Sequence, residues 1–242
     1  MGRDFVKELQ KEKNVDEIWM IARRKERLDV MAEKSNGRLR VLAFDLTDMG
    51  SFKYFEDFLT KEKPQILYLI NAAGAGRMGK VDEISYNDHA FVLDINVRAL
   101  TCMSRICLPY MGKGSHIILL CSGSAFLPQP EFASYAASKS YVLSFSRALR
   151  QEVKKEGISV TAVCPGPVNT EFFEAAGSEI APAKKRFLVE SKDVVRKAMK
   201  DAKSGKELSV YGMSMKLVHL AGKLLPTRVV LSVMNEMMNK HE

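Results

Sequence analysis

His116-Ile-Ile-Leu-Leu-Cys121 is an unbroken apolar run that stops at Ser122. It has the length of a strand, and the lack of polar alternation predicts burial on both faces, as in a parallel sheet. A hydroxyl at the carboxyl end of such a strand faces the crevice where open α/β sheets bind ligands. Similar runs lie on either side. Leu67-Tyr-Leu-Ile-Asn-Ala-Ala-Gly74 is a strand entering a small-residue turn, and Val160-Thr-Ala-Val-Cys-Pro-Gly-Pro167 is a strand that ends at Pro-Gly. Between Ser122 and that last strand, Ser134-Tyr-Ala-Ala-Ser-Lys-Ser140 lies on a long segment of helical period. Tyr135 and Lys139 are four apart and share one face. An ammonium favours the phenolate of a neighbouring tyrosine, whose ordinary pKa is about 10. The spacing therefore predicts a tyrosine tuned for proton transfer near neutral pH.

The same alternation runs along the whole chain. Strands are predicted at 17–22, 39–44, 66–71, 116–121, 159–164 and 207–211. Helices are predicted at 3–13, 25–34, 51–62, 85–111, 132–156 and 192–203, with two more stretches after Gly212. This βαβα rhythm implies a mainly parallel, doubly wound sheet with helices on both faces. No boundary divides residues 1–242, so one domain is expected, with a substrate lid at 170–192 and a helical tail at 213–242.

Composition narrows the function classes. Net charge is +8, from 37 basic and 29 acidic side chains, and the two signs are interspersed as on solvated helix faces. No basic stripe with interleaved aromatics is present, so no nucleic-acid partner is expected. No apolar run reaches the ~18 residues of a spanning helix, and no secretory segment opens the chain. Cys102, Cys107, Cys121 and Cys164 show no metal or disulfide spacing, and His89, His116, His219 and His241 are scattered. Buried reduced thiols, a cytoplasmic location and no metal are expected.

In order and spacing, Asn71-Ala-Ala-Gly74, Asn96, Ser122, Tyr135-x-x-x-Lys139 and Pro165-Gly166 resemble a short-chain dehydrogenase/reductase. Ala22-Arg-Arg24, Asp45-Leu46 and Thr170 fit the same pattern, and the likeness covers the whole chain, least securely after Thr170. The resemblance implies a Rossmann-like sheet of order 3-2-1-4-5-6-7. One piece is missing: the family opens with a strand and a T-G-x-x-x-G-x-G turn, whereas here Met1-Gly2 stands where that motif ends. The first, central strand is therefore expected to be absent. Its absence leaves a gap of two strand spacings, ~9.6 Å, at a cost comparable with the stability of a whole domain. The leading expectation is a start at an internal Met, with roughly a dozen residues omitted by the doubly wound pattern. The rival is a true truncation with reduced cofactor binding.

By resemblance, Tyr135 exchanges the proton of a substrate carbonyl or alcohol. Ser122 holds that oxygen, Lys139 lowers the phenol pKa and binds the nicotinamide ribose, and Asn96 carries a water linking Lys139 to solvent. Arg23 stands where members that prefer NAD place a carboxylate. A guanidinium there, flanked by Arg24, suits a 2′-phosphate. NADP(H) is thus the expected cofactor, with NAD(H) as the alternative. Asp45 and Leu46 border the adenine, Asn71, Ala72, Ala73 and Gly74 allow close cofactor approach, and Gly2 survives from the phosphate turn. Pro165, Gly166 and Thr170 lie beside the nicotinamide carboxamide. Phe126, Phe132, Phe172 and Phe173 suggest a pocket for a small apolar ketone or secondary alcohol, with hydroxysteroids, 3-oxoacyl groups and small xenobiotic ketones all compatible. The Met-rich tail is read first as packing over a pocket or a subunit interface, with weak membrane contact as the lesser alternative. A homo-oligomer is a family expectation. The competing function is a non-catalytic relic or scaffold.

Overall fold

The computed structural model describes residues 1–35, 37–177 and 188–232. In chain order the strands are β1 Ile18–Ala22, β2 Leu39–Ala43, β3 Tyr68–Asn71, β4 His116–Leu120, β5 Ser159–Cys164, β6 Val168–Asn169, β7 Val189–Glu190 and β8 Leu208–Val210. The helices are α1 Gly2–Leu9, α2 Lys25–Glu33, α3 Met49–Glu62, α4 Tyr86–Leu93, α5 Ala99–Cys107, α6 Ala133–Glu152, α7 Phe172–Ala175, α8 Ser191–Lys203 and α9 Met213–Leu224. Strands β3, β4, β5 and β8 form one parallel ladder in that order, and β1 pairs in parallel with β2.

β4 explains why the sheet is covered on both sides. Ile117, Ile118 and Leu119 are completely buried. Ile117, Leu119 and Cys121 pack with Phe52, Leu59 and Val142, from α3 and α6. Ile118 and Leu120 point the other way, to Phe5 and Leu9 of α1 and Val194 and Val195 of α8. The alternation of side chains along a strand thus sends one apolar run into two cores.

The ladder is interrupted between β1 and β3, which share no pairing among the described residues. The break falls where the resemblance places the absent central strand. Other contacts hold the β1–β2 pair. The Arg38 guanidinium donates to the carbonyls of Gln10 at 2.9 Å and Glu12 at 3.0 Å, and also to that of Val15. Trp19 packs edge-on against Phe58 at 5.1 Å, and the Arg40 guanidinium lies 4.8 Å from the Phe58 ring centre.

Several boundaries differ from expectation. The helix predicted at 85–111 is not uniform: a π turn, Asp94–Arg98, separates α4 from α5, and a 3-10 turn, Leu108–Tyr110, follows where Pro109 lacks a backbone donor. α1 stops at Leu9, Phe44 lies outside β2, and the short β6–β7 pair was not expected. After α9, Pro226 interrupts the chain before residues 227–232 resume a helix. Parts of the predicted lid and tail, 178–187 and 233–242, lie outside the described residues.

Candidate active site

The carboxyl ends of β3, β4 and β5 converge on one cluster. Ser122 caps the short turn Gly123–Ala125, its Oγ accepting from Ser124 N at 3.1 Å. Gly123 N donates to Pro165 O at 2.8 Å, tying the end of β4 to the end of β5. α6 brings Tyr135, Ser138 and Lys139 to the same side, all buried, with Lys139 only 3% exposed. The Ser122 hydroxyl favours the ionised form of the Tyr135 phenol, against the larger effect of burial. Lys139 Nζ donates to Leu120 O at 2.9 Å and sits 5.6 Å from the Tyr135 ring centre.

Asn96 lies in the π turn, 1% exposed. Its Oδ1 accepts from Ala75 N at 2.9 Å, and its Nδ2 donates to Ala75 O at 2.8 Å and Ser138 Oγ at 2.9 Å. Both amide hydrogens are committed, which leaves one Oδ1 lone pair for a water. Gly74 presses on this pair of residues: a Cβ there would come 3.2 Å from Asn96 Oδ1 and 3.4 Å from Lys139 Nζ. The β3 turn therefore needs a small residue at this point.

The electrostatics correct one expectation. The Tyr135 phenol is not depressed: burial pushes it well above its ordinary range, against a smaller opposing effect of the Ser122 hydroxyl. The same burial pulls Lys139 down to about 8, opposed by Cys121 and Cys164 beneath it. Lys139 is turned to the Leu120 carbonyl, and desolvation of the phenol outweighs a cation held over its ring rather than at its oxygen.

The predicted aromatic residues divide. Phe132 stacks on Tyr135 at 4.3 Å, and Phe172 lies 5.3 Å from it, ring centre to ring centre. Both ring tips stand 2.8 Å from where a Gly76 Cβ would be. Phe173 packs behind Phe172 at 5.6 Å. Phe126 is elsewhere, against His219 of α9 at 4.3 Å and lining a separate groove with Pro128, Pro130 and Leu231.

Three contributors escaped the sequence. Met215 of α9 lies over Gly123 and Gly166, so close that a Cβ on either glycine would collide with it. Arg77 donates to Ala175 O at 2.7 Å and to Asp88 at 2.7 Å, fastening α7 beside Phe172. Glu171 pairs with Arg27 at 2.8 Å, and Arg3 and Arg24 add to the positive field that keeps its carboxyl below the usual range. Periodicity marked α9 as amphipathic and rich in Met, but contacts across such sequence separations leave no local pattern.

On the cofactor side, a Cβ at Gly2 would lie 4.0 Å from the Ala72 Cβ, so α1 begins beside the β3 turn. Ala73 and Gly74 are exposed at the rim. Asn71 turns inward and donates to Ser104 Oγ at 3.1 Å, so its side chain braces α5. Asp45 accepts from Thr47 N and Oγ1, each at 2.8 Å, and faces Arg23 at 3.8 Å, while Leu46 packs on the core. Arg23 also lies over Phe91 at 5.3 Å, and Arg24 makes no ion pair among the described residues. Thr170 Oγ1 accepts from Phe172 N at 3.4 Å.

Comparisons with known proteins bear on the family and the fold. Residues 1–181 match the family model described as short chain dehydrogenase. The "11-beta-hydroxysteroid dehydrogenase-like 3" protein of Arabidopsis thaliana is 31% identical over 158 residues, which are 63% of this chain and 51% of that one. The chain thus spans about half the length of that relative. A short-chain dehydrogenase of Sphingobium yanoikuyae, solved in complex with NADPH, superposes with a TM-score of 0.79 at 23% identity, covering 96% of this chain and 91% of its own. A Burkholderia phymatum member, solved in complex with NAD, gives 0.76 at 20% identity, covering 92% and 89%. With the family model matched over most of its length and a clustered Ser122, Tyr135, Lys139 and Asn96, the chain belongs to the short-chain dehydrogenase family.

Proposed function

We propose that the protein is an NADP(H)-dependent oxidoreductase that interconverts an apolar ketone and a secondary alcohol. One observation carries this reading: a buried tyrosine on α6, stacked under Phe132 and beside a buried lysine, at the end of the strand that leads into Ser122. The hydride chemistry is what a bound nicotinamide supplies. The residues suit such a group, since Gly2, Ala72, Ala73 and Gly74 leave the β3 turn free of bulk, and Arg23 and Arg24 offer guanidinium groups for a 2′-phosphate. Lys139 and Thr170 would hold its nicotinamide end.

Ser122 orients the substrate oxygen, and Tyr135 delivers the proton to it in reduction or removes it in oxidation. Raised by burial, the phenol stays protonated at neutral pH, which suits the reductive direction. Phe132, Phe172 and Met215 exclude water and favour an apolar substrate. The relative named above, a hydroxysteroid dehydrogenase-like protein, supplies a precedent of suitable class. Phe132 and Phe172 favour the bulkier, apolar class. Assembly into a homo-oligomer is part of the same proposal.

NADPH consumption with a panel of apolar ketones tests this. Tyr135→Phe is expected to lower kcat at least ~100-fold, the usual worth of a positioned proton donor, while leaving NADPH binding intact. Near-normal turnover by that variant would refute the assignment. Arg23→Asp is expected to shift preference toward NADH by roughly 10- to 150-fold, the worth of a charge-assisted phosphate contact. Equal affinity of the unmutated protein for both cofactors would refute the role of Arg23. The scaffold alternative is favoured by the interrupted ladder beside Gly2, and it predicts no saturable NADPH binding at all.

A further inference from the structure

α9 (Met213–Leu224) has two faces with different surroundings. One is packed on the protein: Met215 lies over Gly123 and Gly166, His219 meets Phe126, and a Cβ at Gly222 would come 2.6 Å from Phe126 O. On the other face, Met213, Leu217, Leu220 and Leu224 are between 51% and 71% exposed. Their spacing, at about 100° per residue, places all four within roughly 60° of one another, in a single stripe. Lys216 and Lys223 line one edge of that stripe and are exposed, as is Arg228 beyond Pro226. From Leu208 to residue 235 the sequence contains no Asp or Glu. An apolar stripe whose only charged neighbours are cations is the pattern of a helix that lies in a lipid headgroup layer.

We infer that this face of α9 docks on an anionic lipid surface. The four apolar side chains enter the boundary between headgroups and acyl chains. Lys216 and Lys223 lay their alkyl stems along the stripe and reach lipid phosphates with their ammonium groups. The helix lies along the surface: no described helix is long and apolar enough to cross a membrane. A second copy of the chain is the competing occupant. Antiparallel two-fold pairing of the stripe would set Lys216 and Lys223 against their own counterparts, with no carboxylate on the segment to offset them. The charge pattern therefore selects lipid. Docking does not depend on the oxidoreductase reading, although on that reading the docked helix is also a wall of the substrate pocket.

Co-sedimentation of the full chain with vesicles tests this without any turnover assay. Binding is expected to vesicles rich in phosphatidylglycerol and not to pure phosphatidylcholine, and to weaken about tenfold at high salt. The double substitution Leu217→Glu with Leu224→Glu is expected to reduce binding at least about tenfold. Lys216→Glu with Lys223→Glu is expected to do the same. Circular dichroism and melting should be unchanged in both, since the altered side chains are exposed. Absence of wild-type binding to anionic vesicles, or undiminished binding by either double variant, overturns the proposal. So does a dimer that the leucine substitutions convert to monomer while vesicles bind nothing.

Discussion

Lys139 is the most costly side chain in the site, and its cost depends on pH. Burial lowers it from 10.5 to about 8. Below pH 8 the folded and unfolded chains both carry the charge, and the fold bears the full penalty of burying it. Above 10.5 neither carries it, and the penalty is gone. Between those values the folded chain sheds its proton first, so this group's contribution makes stability rise with pH. At pH 7 the penalty is roughly 3 kcal/mol, and by pH 9.5 about 2 kcal/mol of it is relieved. Lys139→Met removes the titration while keeping the volume of the stem, at the loss of the 2.9 Å bond to Leu120 O, worth about 1 kcal/mol at every pH. The variant should therefore match or exceed the wild type in stability at pH 7 and lose ground by about 2 kcal/mol at pH 9.5. For a chain of this size that is a change of about 4–8 °C in relative Tm. Tyr135 is common to both proteins and stays protonated across this window, so it cancels. Paired urea or thermal melts at the two pH values measure the difference. A gap between the two proteins that does not move with pH would refute the burial of a titrating amine.

Two further outcomes concern packing and charge elsewhere. Gly166→Ala should cost about 1–3 kcal/mol through the forced displacement of Met215. Adding Met215→Ala should restore most of that loss in urea melts, and additive effects would dismiss the contact. Asp201, 1% exposed, accepts from Lys197 at 2.6 Å and Lys206 at 2.7 Å. Although burial opposes its charge, those lysines and Ser209 hold the carboxyl below its ordinary value, so its stabilising effect is present near neutral pH and lost as pH falls through the acid range. Asp201→Asn should cost about 1–3 kcal/mol at pH 7, the usual figure for a broken buried pair discounted for the partial exposure of both lysines. The cost should shrink in acid melts.

The elements most legible from sequence were those whose side chains face protein on every side. β4 is apolar without alternation because both faces are covered, and the run length alone delimits it. The Tyr135–Lys139 spacing was equally plain, since helical geometry fixes which residues share a face. What could not be read was how burial divides between partners. Lys139 satisfies Leu120 O, and Asn71, grouped by motif with the cofactor turn, braces Ser104. The π turn at Asn96 was hidden for a similar reason: the bonds that Asn96 makes to Ala75 join residues far apart in sequence. Met215 and Arg77 likewise act only through tertiary contacts.

The interrupted ladder divides the work of the molecule unequally. Ser122, Tyr135, Lys139 and Asn96 are all carried by β4 and by α6 and the π turn packed on it, within the continuous β3–β4–β5–β8 ladder and its largest core. Arg23, Arg24 and Asp45 follow β1 and β2, the pair that shares no ladder with β3. The proton-transfer half thus rests on cooperative backbone pairing. The half that would bind the nucleotide is held by side chains: the Arg38 guanidinium on three carbonyls of the preceding loop, and the aromatic cluster of Trp19, Phe55 and Phe58. Side-chain anchors of this kind open locally at lower free energy than a buried ladder. Any group bound between the two halves would stabilise their arrangement by mass action. A nicotinamide dinucleotide, on the proposed reading, would therefore act as a structural bridge across the break as well as a source of hydride.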